Sequence, residues 1–158
     1  NQPQPSRDIH EFNAGLLGTS RDKAKKQFFA WFYNPNKTNK KLQNIYKNEE
    51  VLNKYYENGV VETPFGRKIE SDDFHSLNYL LQSTSSDNCL AQAIKISKFL
   101  RGRRSFVHSV VHDSITIDFY RDDRDIIHQI KQIFEDTRLG IFPSSMHIGK
   151  NYRDMERI

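Results

Sequence analysis

Residues 105–119 read Ser-Phe-Val-His-Ser-Val-Val-His-Asp-Ser-Ile-Thr-Ile-Asp-Phe. Val107, Ser109 and Val111 alternate in one run, and Ile115, Ile117 and Phe119 in the next. Period-2 patterns on both sides of the polar pair His112-Asp113 predict a β-hairpin with that pair at its tip. An acid held there has little freedom. Its carboxylate suits a hard cation such as Mg2+, which takes oxygen ligands and keeps positions open for phosphates. The plainer reading of Asp113 is a solvated turn residue.

A second group is spaced for a helix. Arg21, Lys25, Phe29 and Tyr33 recur every fourth residue, which sets successive side chains about 40° apart on one drifting face. That face carries two cations and then two aromatic rings. A nucleoside triphosphate has the complementary order, with phosphates for the cations and a base for the ring to stack on. The plainer reading is an amphipathic helix with aromatics in the core and solvated cations.

Further along, Asn78 and Gln82 lie four apart and share a face if the stretch is helical. Amides so placed can hydrogen-bond minor-groove acceptors, which Watson-Crick pairs display in similar positions; capping or a buried polar pair is the alternative. Pro64-Phe65-Gly66-Arg67 reads as a turn that projects Arg67. Arg101, Arg103 and Arg104 form a basic cluster, on a solvated surface or at a phosphate.

These residues need positioning elements. Asn1–Ser6 is Pro- and Gln-rich and reads as a linker. Phe12, Leu16 and Leu17 mark one face of a short helix closed by Gly18. Thr19-Ser20 offers an N-cap for the helix from Arg21 to Tyr33, which Asn34-Pro35 ends, with Asn34 left-handed. Asn36 to Lys41 reads as a basic turn. Leu42 to Tyr56 predicts one or two helices stopped at Gly59, and Val60–Thr63 a short strand. Leu77–Leu81 is interrupted at Ser83–Ser86, after which a helix runs through Leu90, Ile94 and Leu100 to Gly102. Asp122 or Asp123 caps a last helix with Ile126, Ile127, Ile130, Ile133 and Phe134 on one face, ended by Gly140, and Ile141–Ile148 reads as a final strand. The order of elements predicts an α+β fold.

The 158 residues suffice for one domain of ordinary size, and a net charge of +4 permits a polyanionic partner. Cys89 is the only cysteine, which excludes a disulfide framework and a Cys-based zinc site and points to a reducing, cytoplasmic setting. No apolar run is long enough to span a bilayer, so no membrane partner is expected. The chain begins with Asn1 rather than Met, as expected of a processed product or an excised piece.

Taken together, the motifs resemble the C-terminal portion of a family A (Pol I-like) DNA polymerase, in order and over almost the whole chain. Arg7-Asp8-Ile9-His10 looks like the family's Asp-Ile-His stretch. Arg21-x3-Lys25-x3-Phe29-x3-Tyr33 resembles the nucleotide-binding fingers helix, motif B. Thr63-x2-Gly66-Arg67 is similar to its Thr-x-x-Gly-Arg element. Asn78-x3-Gln82-Ser83-Thr84-x2-Asp87 resembles its Asn-x3-Gln-x-Thr-x2-Asp segment. Val111-His112-Asp113 resembles motif C, and Gly149-Lys150-Asn151-Tyr152 the C-terminal end.

The resemblance implies a linker at 1–7, helical fingers at 8–62 and part of a palm at 63–158, with a hairpin carrying the catalytic Asp113. It implies that Arg21, Lys25 and His10 hold the phosphates of a dNTP. Phe29 would pack beside sugar and base, where Phe rather than Tyr implies discrimination against dideoxynucleotides. Tyr33 would stack at the templating position. Asn78, Gln82 and His112 would touch primer-template DNA, with Arg67 also on the DNA, and Asp113 would ligate two Mg2+ ions. Asn34 replaces the family's usual Gly and Ser114 its usual Glu. The short stretch from Tyr33 to Arg67 implies a small bacteriophage-type enzyme, working in the host cytoplasm. No Asp-Tyr-Ser-like strand precedes Asp8. The resemblance therefore implies that motif A, the thumb and part of the palm lie upstream or in a separate chain, and that this chain alone does not polymerise. Two alternatives stay open: a fragment of a single-subunit phage-type RNA polymerase, which shares a His-Asp-Ser hairpin, and a non-catalytic remnant that grips primer-template DNA through Lys23, Lys25, Lys26 and Arg101–Arg104.

Overall fold

The computed structural model describes residues 8–34 and 38–158. The expected linker at 1–7, Pro35 and the start of the basic turn lie outside them. The chain divides into two compact units, Asn1–Gln82 and Ser83–Ile158. Helices and short antiparallel hairpins make up both, so the fold class is α+β.

In the first unit, α1 (Ile9–Leu17) ends on Gly18, whose left-handed φ of 65° completes the cap expected there. Phe12 of α1 faces solvent, and the fully buried residue is Asn13, whose Oδ1 accepts from the Tyr46 hydroxyl at 2.7 Å. Next come α2 (Arg21–Phe32), α3 (Lys40–Tyr46) and α4 (Asn48–Tyr55). Phe28, Trp31 and Leu42 form the core of these helices, with Leu16, Leu17, Phe32 and Tyr46 against it. Positive φ outside glycine is confined, among the described residues, to Lys47, Asn58 and His112, so Asn34 ends α2 without a left-handed turn.

Gly59 does not stop a helix. It pairs with Asn58, both at positive φ, as the two-residue turn between β1 (Tyr56–Glu57) and β2 (Val60–Glu62). Asn-Gly is the strongest short signal for a type I′ hairpin, and here it outranks the helical pattern before it. β2 then pairs with β3 (Lys68–Glu70), aligning Glu62 with Lys68.

The helix α5 (Ser76–Phe99) runs through Ser83–Ser86 without a break, and the division between the units falls within it. Serine in a helix interior is only mildly unfavourable, by about 0.5 kcal/mol per residue, too little to interrupt a 24-residue hydrogen-bond ladder.

In the second unit, Ile96 of α5 and Leu100 just after it pack with Ile126 and Ile130; Val107, Ile115, Ile117 and Phe119 lie against this core. Leu90 and Ile94 of the same helix are exposed. The hairpin is β4 (Phe106–Val111) and β5 (Ser114–Asp118). A 3₁₀ turn over Arg121–Ile126 leads into α6 (Ile127–Glu135). The turn carries no side-chain cap; Asp123 points to Ser105. Gly140 belongs to a hairpin of β6 (Asp136–Thr137) and β7 (Gly140–Ile141), not to a helix end. The expected strand over Ile141–Ile148 is interrupted around Pro143, which lacks an N–H for a ladder. Only β8 (His147–Ile148) pairs further on, with β9 (Glu156–Arg157). A Cβ on Gly149 would lie 2.7 Å from the Asp154 carbonyl oxygen and 2.8 Å from Met155 Cα, so only glycine lets these backbones approach.

Candidate functional site

The candidate residues fall into the two units. In the first, α2 separates two stripes. Ala24, Phe28 and Trp31 are buried, whereas Arg21, Lys25, Phe29 and Tyr33 face outward. Phe29 is 37% and Tyr33 42% exposed, so these rings are not the core that the plainer reading assigned to them. They stack at 5.8 Å with planes 3° apart, and the His10 ring lies 5.7 Å from Phe29. The helix thus presents cations at its start and parallel rings at its end.

Arg21 meets Asp8, a partner the sequence reading missed. Asp8 Oδ2 accepts from Arg21 Nη2 at 2.6 Å and Nε at 3.2 Å, while its Oδ1 caps α1 by accepting from the backbone N–H of His10 and Glu11. The guanidinium bond foremost, then the His10 N–H, hold the Asp8 carboxyl below the usual carboxylate range. The available signal was an Asp at an N-cap position just ahead of an apolar run. His10 Nδ1 is buried without a protein partner.

Thr63 is buried and builds the loop that carries Arg67. Its Oγ1 accepts from the N–H of Phe65 and Arg67 at 3.3 and 3.2 Å, and Gly66 takes a φ of 85°. The Thr-x-x-Gly-Arg spacing therefore has a local cause: a hydroxyl to hold two amides, and a residue without Cβ where the chain turns left-handed. Asn78 and Gln82 share one face of α5, and Gln82 Nε2 donates to Asn78 Oδ1 at 2.8 Å. Each primary amide has two N–H donors, so one of Gln82's is engaged by Asn78.

In the second unit, β4 and β5 pair antiparallel, Val111 opposite Ser114, with His112-Asp113 as a two-residue turn. His112 takes a φ of 55°; positive φ at the first turn position alone is the pattern of a type II′ turn, usually a glycine site. Ser114 Oγ donates to the Val111 carbonyl at 2.8 Å and closes the turn. A bulge at His108 breaks the expected alternation. Val107 and Val110 stand opposite Ile117 and Ile115, while Val111 turns out and is 52% exposed. Asp113 is exposed at the tip. Its charge reaches Cys89 on α5, whose thiol is pushed up first by burial and then by that carboxylate.

The hairpin is anchored at both ends. Ser105 donates to buried Asp123 through its N–H at 2.9 Å and its hydroxyl at 2.7 Å, and its Oγ accepts from the Tyr120 N–H. These bonds from Ser105, hydroxyl first, and then Arg103, keep the Asp123 carboxyl below its usual range. Thr116 meets the Tyr152 hydroxyl at 3.0 Å. Of the basic cluster, Arg103 pairs with Asp123 and Asp125, and Arg104 lies 3.6 Å over the Tyr120 ring, so two of its three cations brace the fold.

Among the described residues no group of three or more His, Cys, Asp or Glu side chains is placed to hold a metal ion. Asp113, exposed at the hairpin tip, could contribute one carboxylate ligand. Among the described residues, no helix is long and apolar enough to cross a membrane. No family model matches the chain, and no curated protein matches it.

Proposed function

We propose that this chain is the fingers and C-terminal palm portion of a family A-like DNA-directed DNA polymerase. The reading rests chiefly on α2. A helix that buries Ala24, Phe28 and Trp31 still leaves two stacked aromatic rings and two cations outward in the order of a nucleotide's base and phosphates.

In this reading the primer 3′-hydroxyl attacks the α-phosphate and pyrophosphate leaves. Arg21, Lys25 and His10 bind and orient the triphosphate. Phe29 packs beside sugar and base, and Tyr33 stacks at the templating position. Asn78, Gln82 and His112 hold the minor groove of primer-template DNA, with Arg67 also on the DNA. Magnesium, when bound, would supply charge stabilisation at the transferring phosphate. Asp113 is the carboxylate this chain contributes, and a second comes from a motif A strand upstream or in a partner chain.

The test is primer extension by the complete enzyme with deoxy- and ribonucleotides. Magnesium-dependent use of deoxynucleotides, lost on Asp113→Ala with DNA affinity kept, is expected. Preference for ribonucleotides would make it an RNA polymerase fragment. Salt-sensitive DNA binding without any synthesis would make it a DNA-binding remnant.

A further inference from the structure

The Arg21 guanidinium faces two demands. The reading above, on which this inference rests, gives it to the triphosphate, yet its Nε–Nη2 edge already lies on Asp8 Oδ2. Asp22 adds a second carboxylate 3.8 Å from Nη1. Asp8 divides its two oxygens: Oδ1 caps α1 and Oδ2 takes the guanidinium.

We infer that Asp8 is an internal counter-ion that occupies the Arg21 fork in the empty state, is displaced by the nucleotide's phosphates, and takes the fork back when pyrophosphate leaves. Magnitudes favour displacement. Both side chains are solvent-accessible, at 46% and 37%, and an exposed ion pair is worth only about 0–1 kcal/mol. A polyphosphate that can reach both Arg21 and Lys25 exchanges that single weak pair for several charge-assisted bonds. Asp8 thus lowers affinity for phosphates and lets product go.

Asp8→Asn separates the two tasks, because Asn caps a helix about as well as Asp and carries no charge. The test is calorimetric titration of the 158-residue chain with dATP and with inorganic tripolyphosphate, for the wild type, Asp8→Asn, Arg21→Ala and the double variant. Asp8→Asn is expected to bind both ligands about two- to fivefold tighter, the fold-change that releasing an exposed ion pair of up to about 1 kcal/mol gives, and the gain is expected to vanish when Arg21 is Ala. Equal or weaker binding by Asp8→Asn, with Arg21→Ala still impaired, overturns the counter-ion while leaving the phosphate site standing. A gain that persists without Arg21 also overturns it. Binding by none of the four, or binding indifferent to Arg21, overturns both the counter-ion and the phosphate site.

Discussion

His112 holds a positive φ that glycine would take more easily, and the residue it precedes is the exposed carboxylate Asp113. A left-handed non-glycine residue costs about 1 kcal/mol or more. Strain at a hairpin tip is a reason to look for function there, and the imidazole beside the acid is what a glycine could not supply. On the proposed reading, Asp113→Ala in the complete enzyme is expected to reduce primer extension by on the order of 10³-fold, since metal-held charge stabilisation is worth several kcal/mol. DNA affinity measured by filter binding should stay within about twofold, because the phosphate-neutralising cations are untouched. Near-normal turnover would show that Asp113 is a turn residue and nothing more. The position and type of this residue were legible in the sequence. Its neighbour's strain and the bulge at His108 were not, because both depend on how β4 registers against β5.

Among the elements, α5 and the hairpin carry the clearest expectations. Ile94 and Ile96 lie two apart on α5, yet Ile94 is 56% and Ile96 1% exposed. Ile96→Ala should destabilise by about 2–5 kcal/mol and Ile94→Ala by less than about 0.5 kcal/mol, read by urea denaturation. A comparable loss at both would mean that the outer face of α5 is covered. The hairpin's anchor makes a pH prediction. The folded Asp123 carboxyl titrates below the ordinary value of 3.8, so its contribution is fully present above that value and is lost as pH falls through the lower folded one. Thermal melts between pH 6 and pH 2.5 should show Asp123→Asn starting less stable than the wild type and converging on it at the acid end. Parallel curves would mean that Ser105 and Arg103 do not favour the ionised form. Gly149→Ala should cost about 1–3 kcal/mol by forcing β8 from the Asp154–Met155 backbone, seen as a lower melting temperature; an unchanged one would show that this turn has room to relax.

For the whole molecule, the reading requires a second carboxylate-bearing strand. It also leaves apolar side chains in the second unit, including Leu90, Phe106, Ile141 and Tyr152, in contact with solvent. Native mass spectrometry of the protein purified from its own source should give a mass well above 18.6 kDa or a stoichiometric partner. A lone species of that mass would leave Asp113 without a catalytic partner and favour the DNA-binding remnant.

Local pattern alone determined the α+β character, the hairpin around His112-Asp113, the cation-then-aromatic stripe of α2 and the turn before Arg67. Each is written in spacings of two or four residues, or in a Gly at a turn, and needs no distant partner. Asn58-Gly59 is equally local, a hairpin signal that outranks the helical pattern before it. The tertiary structure decided the rest. It determined that Phe28 rather than Phe29 is core, that α5 continues through its serines, and that Asp123 serves Ser105 instead of a helix end. It also set Asp8, thirteen positions earlier, against Arg21. These outcomes depend on which segments pack together. Exposure and charge pairing are properties of the space between segments, and spacing along one segment does not encode them.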